Sequence, residues 1–209
     1  MTLAYRPRIY LSPAGNLAYF HAPKCASRTI LGWMTLAKIP DLQRSNPGLF
    51  DPFLLGDYPR FSQEVPEVTL REVEGKEKFC VVRDPIERFI SAYCDRVLRY
   101  RQHEMECFPT ITSLISNIRH LQGFKTLEHH IRPLVTLYGS DTGYYDRIFR
   151  FDEIWKLKEY LEEKMGVQLP DLRLQSCERI EKPALTSEDE AILRDFYRED
   201  YQVFHKYLT

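Results

Sequence analysis

The segment with the clearest chemistry is residues 22–29, Ala-Pro-Lys-Cys-Ala-Ser-Arg-Thr. It combines two cations, Lys24 and Arg28, with the hydroxyl groups of Ser27 and Thr29, between a predicted strand and a predicted helix. The backbone N–H groups at a helix start are unpaired and point toward an incoming anion, and small residues let that anion approach. The segment therefore predicts a phosphate-type anion site. An N-capped helix with two solvated basic residues would explain the same pattern.

A second segment, residues 81–93, carries another set of polar side chains. Arg83 follows a predicted strand, and Ser91 lies two turns into the next predicted helix. Open α/β sheets bind ligands beyond the carboxyl ends of their strands, and an Arg fork with a hydroxyl group suits a phosphate. Taken alone, the segment has a simpler explanation, in which Arg83 pairs with Glu87 or Asp84 and Ser91 only packs. Together, two basic loops at one sheet edge suit a ligand with two separated anionic groups.

The periodicity of apolar residues predicts the elements that position these loops. Predicted strands cover 17–21, 78–83 and 147–151, with 8–11 as a candidate partner strand. Predicted helices cover 29–38, 86–101, 110–122, 126–137 and 153–165, and a last helix begins near residues 186–187. Strands that alternate with helices predict an α/β sandwich with a mainly parallel central sheet.

Particular residues mark where these elements begin and end. Asp84 and Pro85 suit the N-cap and first position of a helix, and Gly166 suits a helix end. Asp189 and Glu190 are placed for a capping box. Residues 39–66 are rich in Pro, Gly, Asp and Ser, and their length predicts a substrate-facing surface excursion.

Composition excludes several classes of protein. The 209 residues suit one domain, residues 1–209. Lys plus Arg (29) nearly balances Asp plus Glu (30), which argues against bulk nucleic-acid binding. No run approaches the roughly 20 apolar residues of a membrane span. Five cysteines without a Cys-x-x-Cys pair argue against a disulfide scaffold or a structural metal. With no apolar signal core at the N-terminus, we expect a cytoplasmic protein, unless a targeting segment has been removed.

Taken together, these segments resemble those of a known family. Residues 19–31 and 79–93 resemble the 5′-phosphosulfate loop and the 3′-phosphate motif of sulfotransferases, which use 3′-phosphoadenosine-5′-phosphosulfate (PAPS) as donor. The resemblance is strongest to carbohydrate sulfotransferases, including the heparan sulfate 2-O and chondroitin 4-O groups. Further segments that fit the family pattern are 130–133, 145–152, 169–170 and 195–204.

The resemblance implies a P-loop-like three-layer sandwich, and it assigns different residues to the two ends of the donor. Lys24 and the backbone of residues 25–29, which are Cys25, Ala26, Ser27, Arg28 and Thr29, would hold the 5′-phosphosulfate. Arg83 and Ser91 would hold the 3′-phosphate. Sulfuryl transfer resembles phosphoryl transfer, with in-line attack and charge growing on the bridging oxygen. Lys24 can neutralise that charge, so no metal is expected.

A hydroxyl acceptor needs a general base, and histidine is the usual choice at neutral pH. His130 is the preferred candidate because it matches the family's His-Trp-Arg-Pro segment, and His129 and His21 are the alternatives. Ile131 and Leu134 replace the family's usual Trp and Gln. We therefore expect a carbohydrate or other hydroxyl acceptor that differs from animal glycosaminoglycans. Without a signal peptide or membrane anchor in the sequence, we expect a bacterial rather than a Golgi enzyme. The oligomeric state stays open.

Two other functions fit parts of the sequence. A P-loop-like small-molecule kinase would use residues 79–84 as a Walker B strand. The missing Gly-Lys-Ser/Thr and the proline directly after Asp84 count against it. A non-catalytic nucleotide-binding module would keep the fold and lack a working acceptor site.

Overall fold

The computed structural model describes residues 7–38, 67–99, 108, 110–121, 124–172 and 180–208. The predicted substrate-facing excursion at 39–66 lies outside these residues and stays a prediction. Within the described part, no helix is long and apolar enough to cross a membrane.

The described strands form a single mixed sheet. They are β1 (Ile9–Leu11), β2 (Leu17–Phe20), β3 (Glu67–Val68), β4 (Glu77–Val82) and β5 (Arg147–Arg150), and their order in the sheet is β3-β1-β2-β4-β5. β1 runs antiparallel to β2 and β3, whereas β2, β4 and β5 run parallel. The α/β class is therefore confirmed, but the sheet is mixed rather than clearly mainly parallel. Only the short turn at residues 12–16 joins β1 to β2, and a parallel crossover needs a dozen or more residues.

Strands β2 and β4 set the position of the two predicted anion loops. Tyr19 lies opposite Phe79 with stacked rings 5.2 Å apart, and Phe20 lies opposite Cys80. All four residues are buried. Because the two strands are parallel neighbours, their carboxyl ends meet at the same edge of the sheet. The loops that follow them are therefore adjacent, as the sequence predicts.

The helices pack around this sheet and beside one another. They are α1 (Ser27–Lys38), α2 (Pro85–Tyr93), α3 (Ile111–Ser116), α4 (Lys125–Ile131), α5 (Leu134–Tyr138), α6 (Ile154–Met165), α7 (Ser187–Phe196), α8 (Arg198–Val203) and α9 (His205–Leu208). One apolar cluster surrounds the strands, and a second joins α2, α3, α4 and α7.

The predicted helix caps are confirmed. The Asp84 carboxylate accepts two backbone N–H bonds of 2.9 Å at the start of α2. Gly166 ends α6 with a left-handed φ of 66°, a conformation that glycine adopts without steric cost. Thr186 and Asp189 form a capping box at the start of α7.

Three predicted helices differ from the structure. The helix predicted over 110–122 ends as α3 at Ser116 and is followed by a separate 3-10 turn, Ile118–His120. The other two differ for local reasons. The helix predicted over 126–137 is divided into α4 and α5, because Pro133 lacks an N–H and forces Arg132 into an extended conformation with a ψ of 138°. The helix predicted over 86–101 ends as an α-helix at Tyr93 and continues as a wider π-helical segment, Cys94–Arg99. Such segments occur often at functional sites.

Candidate functional site

The loop between β2 and α1 has an unusual backbone. Lys24 and Ala26 both have left-handed φ angles, of 66° and 56°, although neither is glycine. Each such residue costs about 1–3 kcal/mol and persists only where the surrounding structure imposes it. Alternating left-handed residues form the backbone concavities that bind anions. The backbone conformation of this loop is therefore stronger evidence for an anion site than its side chains alone.

Helix α1 adds its N-terminus to this loop. The N–H of Ile30 donates to the Ala26 carbonyl at 3.0 Å, and this is the first bond of the helix. The N–H groups of Ser27, Arg28 and Thr29 precede that bond and point out of the helix start. Three of the residues predicted to hold the 5′-phosphosulfate thus form the first turn of a twelve-residue helix.

Arg83 links the second predicted segment to the first. Its guanidinium donates to the Lys24 carbonyl at 3.2 Å and lies 4.3 Å from the ring centre of Phe151. It also contacts Glu87 at 3.5 Å, and Glu87 in turn accepts a 2.8 Å bond from Lys182. The pairing of Arg83 with Glu87 that was an alternative to ligand binding is therefore present. The contact between Arg83 and Glu87 is long. If a phosphate bound Arg83 instead, Glu87 would keep Lys182 as its partner.

Cys25 connects the same two loops from inside the protein. It is fully buried, and its sulfur accepts a hydrogen bond from the Arg83 backbone. Burial raises the pKa of this thiol to about 11, so at neutral pH it is a protonated packing group. Ligand contacts at Cys25 are thus limited to its backbone.

Ser91 is half-buried in α2. One turn beyond it, Asp95 is fully buried and accepts a 2.5 Å ion-paired hydrogen bond from Nζ of Lys24. The predicted catalytic lysine is thus held by a carboxylate on the element that also carries Ser91. The assignment of Ser91 to the 3′-phosphate stays a prediction.

All three candidate histidines lie near the loop between β2 and α1. His21 follows β2 directly, and the rings of His129 and His130 are 5.3 Å apart on α4. His130 lies within electrostatic reach of both His21 and Lys24. Its Nδ1 is buried without a hydrogen-bond partner in the described part of the chain. The fold therefore gathers the predicted base and both of its alternatives at one place.

Burial and nearby cations keep these histidines neutral. Burial, followed by the charge of Arg8, lowers the pKa of His21 to about 3 and that of His129 to about 4. Burial and then the charges of Arg96 and Lys24 lower the pKa of His130 well below its usual range. A neutral imidazole has the free nitrogen lone pair that a general base needs, but a lowered pKa makes it a weaker base. The negative charges of a bound nucleotide would offset the effect of these cations and raise the pKa of the imidazoles.

Arg88 fixes the backbone of the His130 segment. It is fully buried, donates to the His130 carbonyl at 3.1 Å, and also donates to the Arg132 carbonyl. Because Arg88 belongs to α2, the helix of the predicted 3′-phosphate motif is joined directly to the predicted base. A buried charge must be paired or hydrogen-bonded, and these two carbonyls meet part of that requirement.

The C-terminal helices hold the same segment from the other side. The Tyr197 hydroxyl donates to the Ile131 carbonyl at 2.7 Å. The Asp200 carboxylate accepts the N–H groups of Leu134 and Val135, at 2.7 and 2.9 Å, where α5 begins. Residues 131 and 134, where the sequence departs from the family pattern, are therefore buried parts of this clamp.

Sequence reasoning missed three residues at the site: Asp95, Arg88 and Lys182. Arg88 had no usable signal, because at 3.6 residues per turn it lies about 160° around α2 from Ile86, away from the apolar face. Asp95 and Lys182 had none either, since their roles depend on contacts across 71 and 95 residues of chain. Among the described residues, no group of His, Cys, Asp or Glu is arranged to hold a metal ion.

The comparison with known protein families agrees with this geometry. A search of curated proteins finds no match. The sequence model described as the sulfotransferase family matches residues 7–207, which include both loops, the histidines and the C-terminal clamp. The chain belongs to the sulfotransferase family.

Proposed function

We propose that this protein transfers a sulfuryl group from PAPS to a hydroxyl group of a carbohydrate or glycoconjugate. Residues 1–209 would form one catalytic domain of the P-loop-like, three-layer type. Family membership supports sulfuryl transfer in general. The PAPS donor and the carbohydrate acceptor go beyond what family membership shows and belong to the proposal.

The observation that carries the proposal is the contact between the two anion loops. The Arg83 guanidinium reaches the Lys24 carbonyl at 3.2 Å, next to the N-terminus of α1. One nucleotide with a 5′-phosphosulfate and a 3′-phosphate could therefore span both loops. ATP lacks the 3′-phosphate that would explain Arg83 and Ser91.

The chain's residues suit an in-line transfer. The acceptor oxygen attacks sulfur, and the bond between sulfur and the bridging oxygen breaks. Its electron pair stays on the 5′-phosphate of the leaving adenosine 3′,5′-bisphosphate. Lys24 stabilises that negative charge, and His130 takes the proton of the acceptor hydroxyl. Such charge stabilisation is strongest in sites from which water is excluded, and Lys24 is largely buried.

The function can be tested with purified protein and PAPS labelled in the sulfuryl group, in EDTA. Desulfated heparin, chondroitin and dextran serve as sugar acceptors, and p-nitrophenol serves as a non-sugar acceptor. We expect labelled sulfate on a carbohydrate, without a requirement for Mg²⁺.

Two results would contradict the proposal. Phosphoryl transfer from ATP that depends on Mg²⁺ would favour a kinase. Binding of PAPS without transfer to any acceptor or to water would favour a non-catalytic module.

A further inference from the structure

Among the described residues, the ion pair between Lys24 and Asp95 is a deeply buried charge contact at the loop between β2 and α1. The Lys24 side chain is 9% exposed and that of Asp95 is 0% exposed, with 2.5 Å between Nζ and Oδ2. Asp95 also lies 3.4 Å from the guanidinium groups of Arg96 and Arg99. Three cations thus surround one buried carboxylate.

The position of Asp95 depends on the π-helical segment that follows α2. Asp95 is the second residue of Cys94–Arg99, and the segment begins directly after Tyr93. Ser91 is predicted to contact the donor, and Asp95 contacts Lys24, which is also predicted to do so. Ser91 and Asp95 therefore lie one turn apart on one continuous helical stretch. The loop residue Lys24 is joined to that element by its ammonium group rather than by packing alone.

We propose that Asp95 is a positioning residue that holds the Lys24 ammonium in place for sulfuryl transfer. The proposal rests on the proposed function above. A lysine ammonium has three N–H donors. One of them binds Asp95, so the buried carboxylate sets the direction in which the ammonium faces the donor. Lys24 then needs no large movement when the donor binds.

The surroundings of Asp95 argue against a role as the general base. Its carboxylate is buried and shared among three cations, so it has no free path to an acceptor hydroxyl. The three histidines near the loop have no such ion pair in the described residues and are better placed to take a proton. Asp95 would therefore act through Lys24.

Replacing this carboxylate should lower turnover without lowering the affinity for the donor product. Asp95→Asn removes a negative charge next to an anion site, so the affinity for adenosine 3′,5′-bisphosphate should stay equal or rise several-fold. Turnover should fall, because misplacing a catalytic group by about 1 Å can lower the rate on the order of 10²-fold. A purely structural residue would weaken both together.

The test compares wild type, Asp95→Asn and Asp95→Glu. Calorimetry gives the affinity for adenosine 3′,5′-bisphosphate, and single-turnover loss of labelled PAPS gives the rate, with desulfated heparin and with water alone as acceptors. We expect a rate loss of roughly 10- to 100-fold in Asp95→Asn without weaker binding. Asp95→Glu keeps the charge and should recover part of the rate.

Asp146→Asn is the matched control. Asp146 also pairs with a lysine, Lys78, but at the opposite edge of the sheet, where β4 and β5 begin. The Asp146→Asn substitution should leave the affinity for adenosine 3′,5′-bisphosphate and the transfer rate unchanged. An unaltered rate in Asp95→Asn, or parallel losses of rate and affinity, would overturn the role of Asp95. A wild-type protein that fails to bind adenosine 3′,5′-bisphosphate would instead refute the proposed function, whatever the variants do.

Discussion

His130→Ala should lose most sulfuryl transfer and keep its fold and its affinity for adenosine 3′,5′-bisphosphate. General-base loss costs on the order of 10²–10⁴-fold in rate. The fold should survive, because Arg88 binds the carbonyl of residue 130, which alanine also has. Steady-state transfer to the best acceptor, together with calorimetry of the bisphosphate, measures both effects.

His120→Ala is the control for this variant. His120 is exposed in the turn Ile118–His120, so its loss should change neither transfer nor binding. Wild-type-like transfer by His130→Ala would show that His130 is not the general base. His129, His21 or a carboxylate would then be the candidates.

Lys24→Ala should reduce turnover much more than donor affinity. The ammonium faces a charge that develops only as the bond to the bridging oxygen breaks, so it stabilises the transition state more than the ground state. Losing one preorganised donor of this kind lowers turnover by about 10²–10³-fold. Turnover at saturating PAPS and the dissociation constant of adenosine 3′,5′-bisphosphate give the two effects separately.

Lys156→Ala, on the exposed surface of α6, controls for the loss of a lysine and should behave as wild type. If Lys24→Ala turned over normally and only its Michaelis constant for PAPS rose, Lys24 would be a simple binding residue.

The sequence predicted the parts of the fold that depend on local patterns. The apolar runs of β2 and β4 and the caps at Asp84 and Gly166 are local signals, and the structure has each of them. The mixed sheet was predictable in part, since the turn at residues 12–16 allows only an antiparallel pair. The predicted helix over 126–137 failed because Pro133 outweighed the apolar periodicity.

The chemistry of the site was less predictable, because it depends on contacts between distant segments. The left-handed backbone of Lys24 and Ala26 has no signal in residue type, since glycine usually marks such positions. The contact of Asp95 with Lys24 and that of Arg88 with residue 130 exist only once the chain is folded. The sequence indicated which loops meet, and the structure adds the residues that hold them together.

The most direct test of the account is whether the protein distinguishes adenosine 3′,5′-bisphosphate from AMP. Both nucleotides carry a 5′-phosphate for the loop at Lys24, but only the bisphosphate has the 3′-phosphate assigned to Arg83 and Ser91. Calorimetry in EDTA should show binding of the bisphosphate and far weaker binding of AMP. Equal affinities for the two would contradict the assignment of Arg83 and Ser91, and with it the proposal that PAPS is the donor.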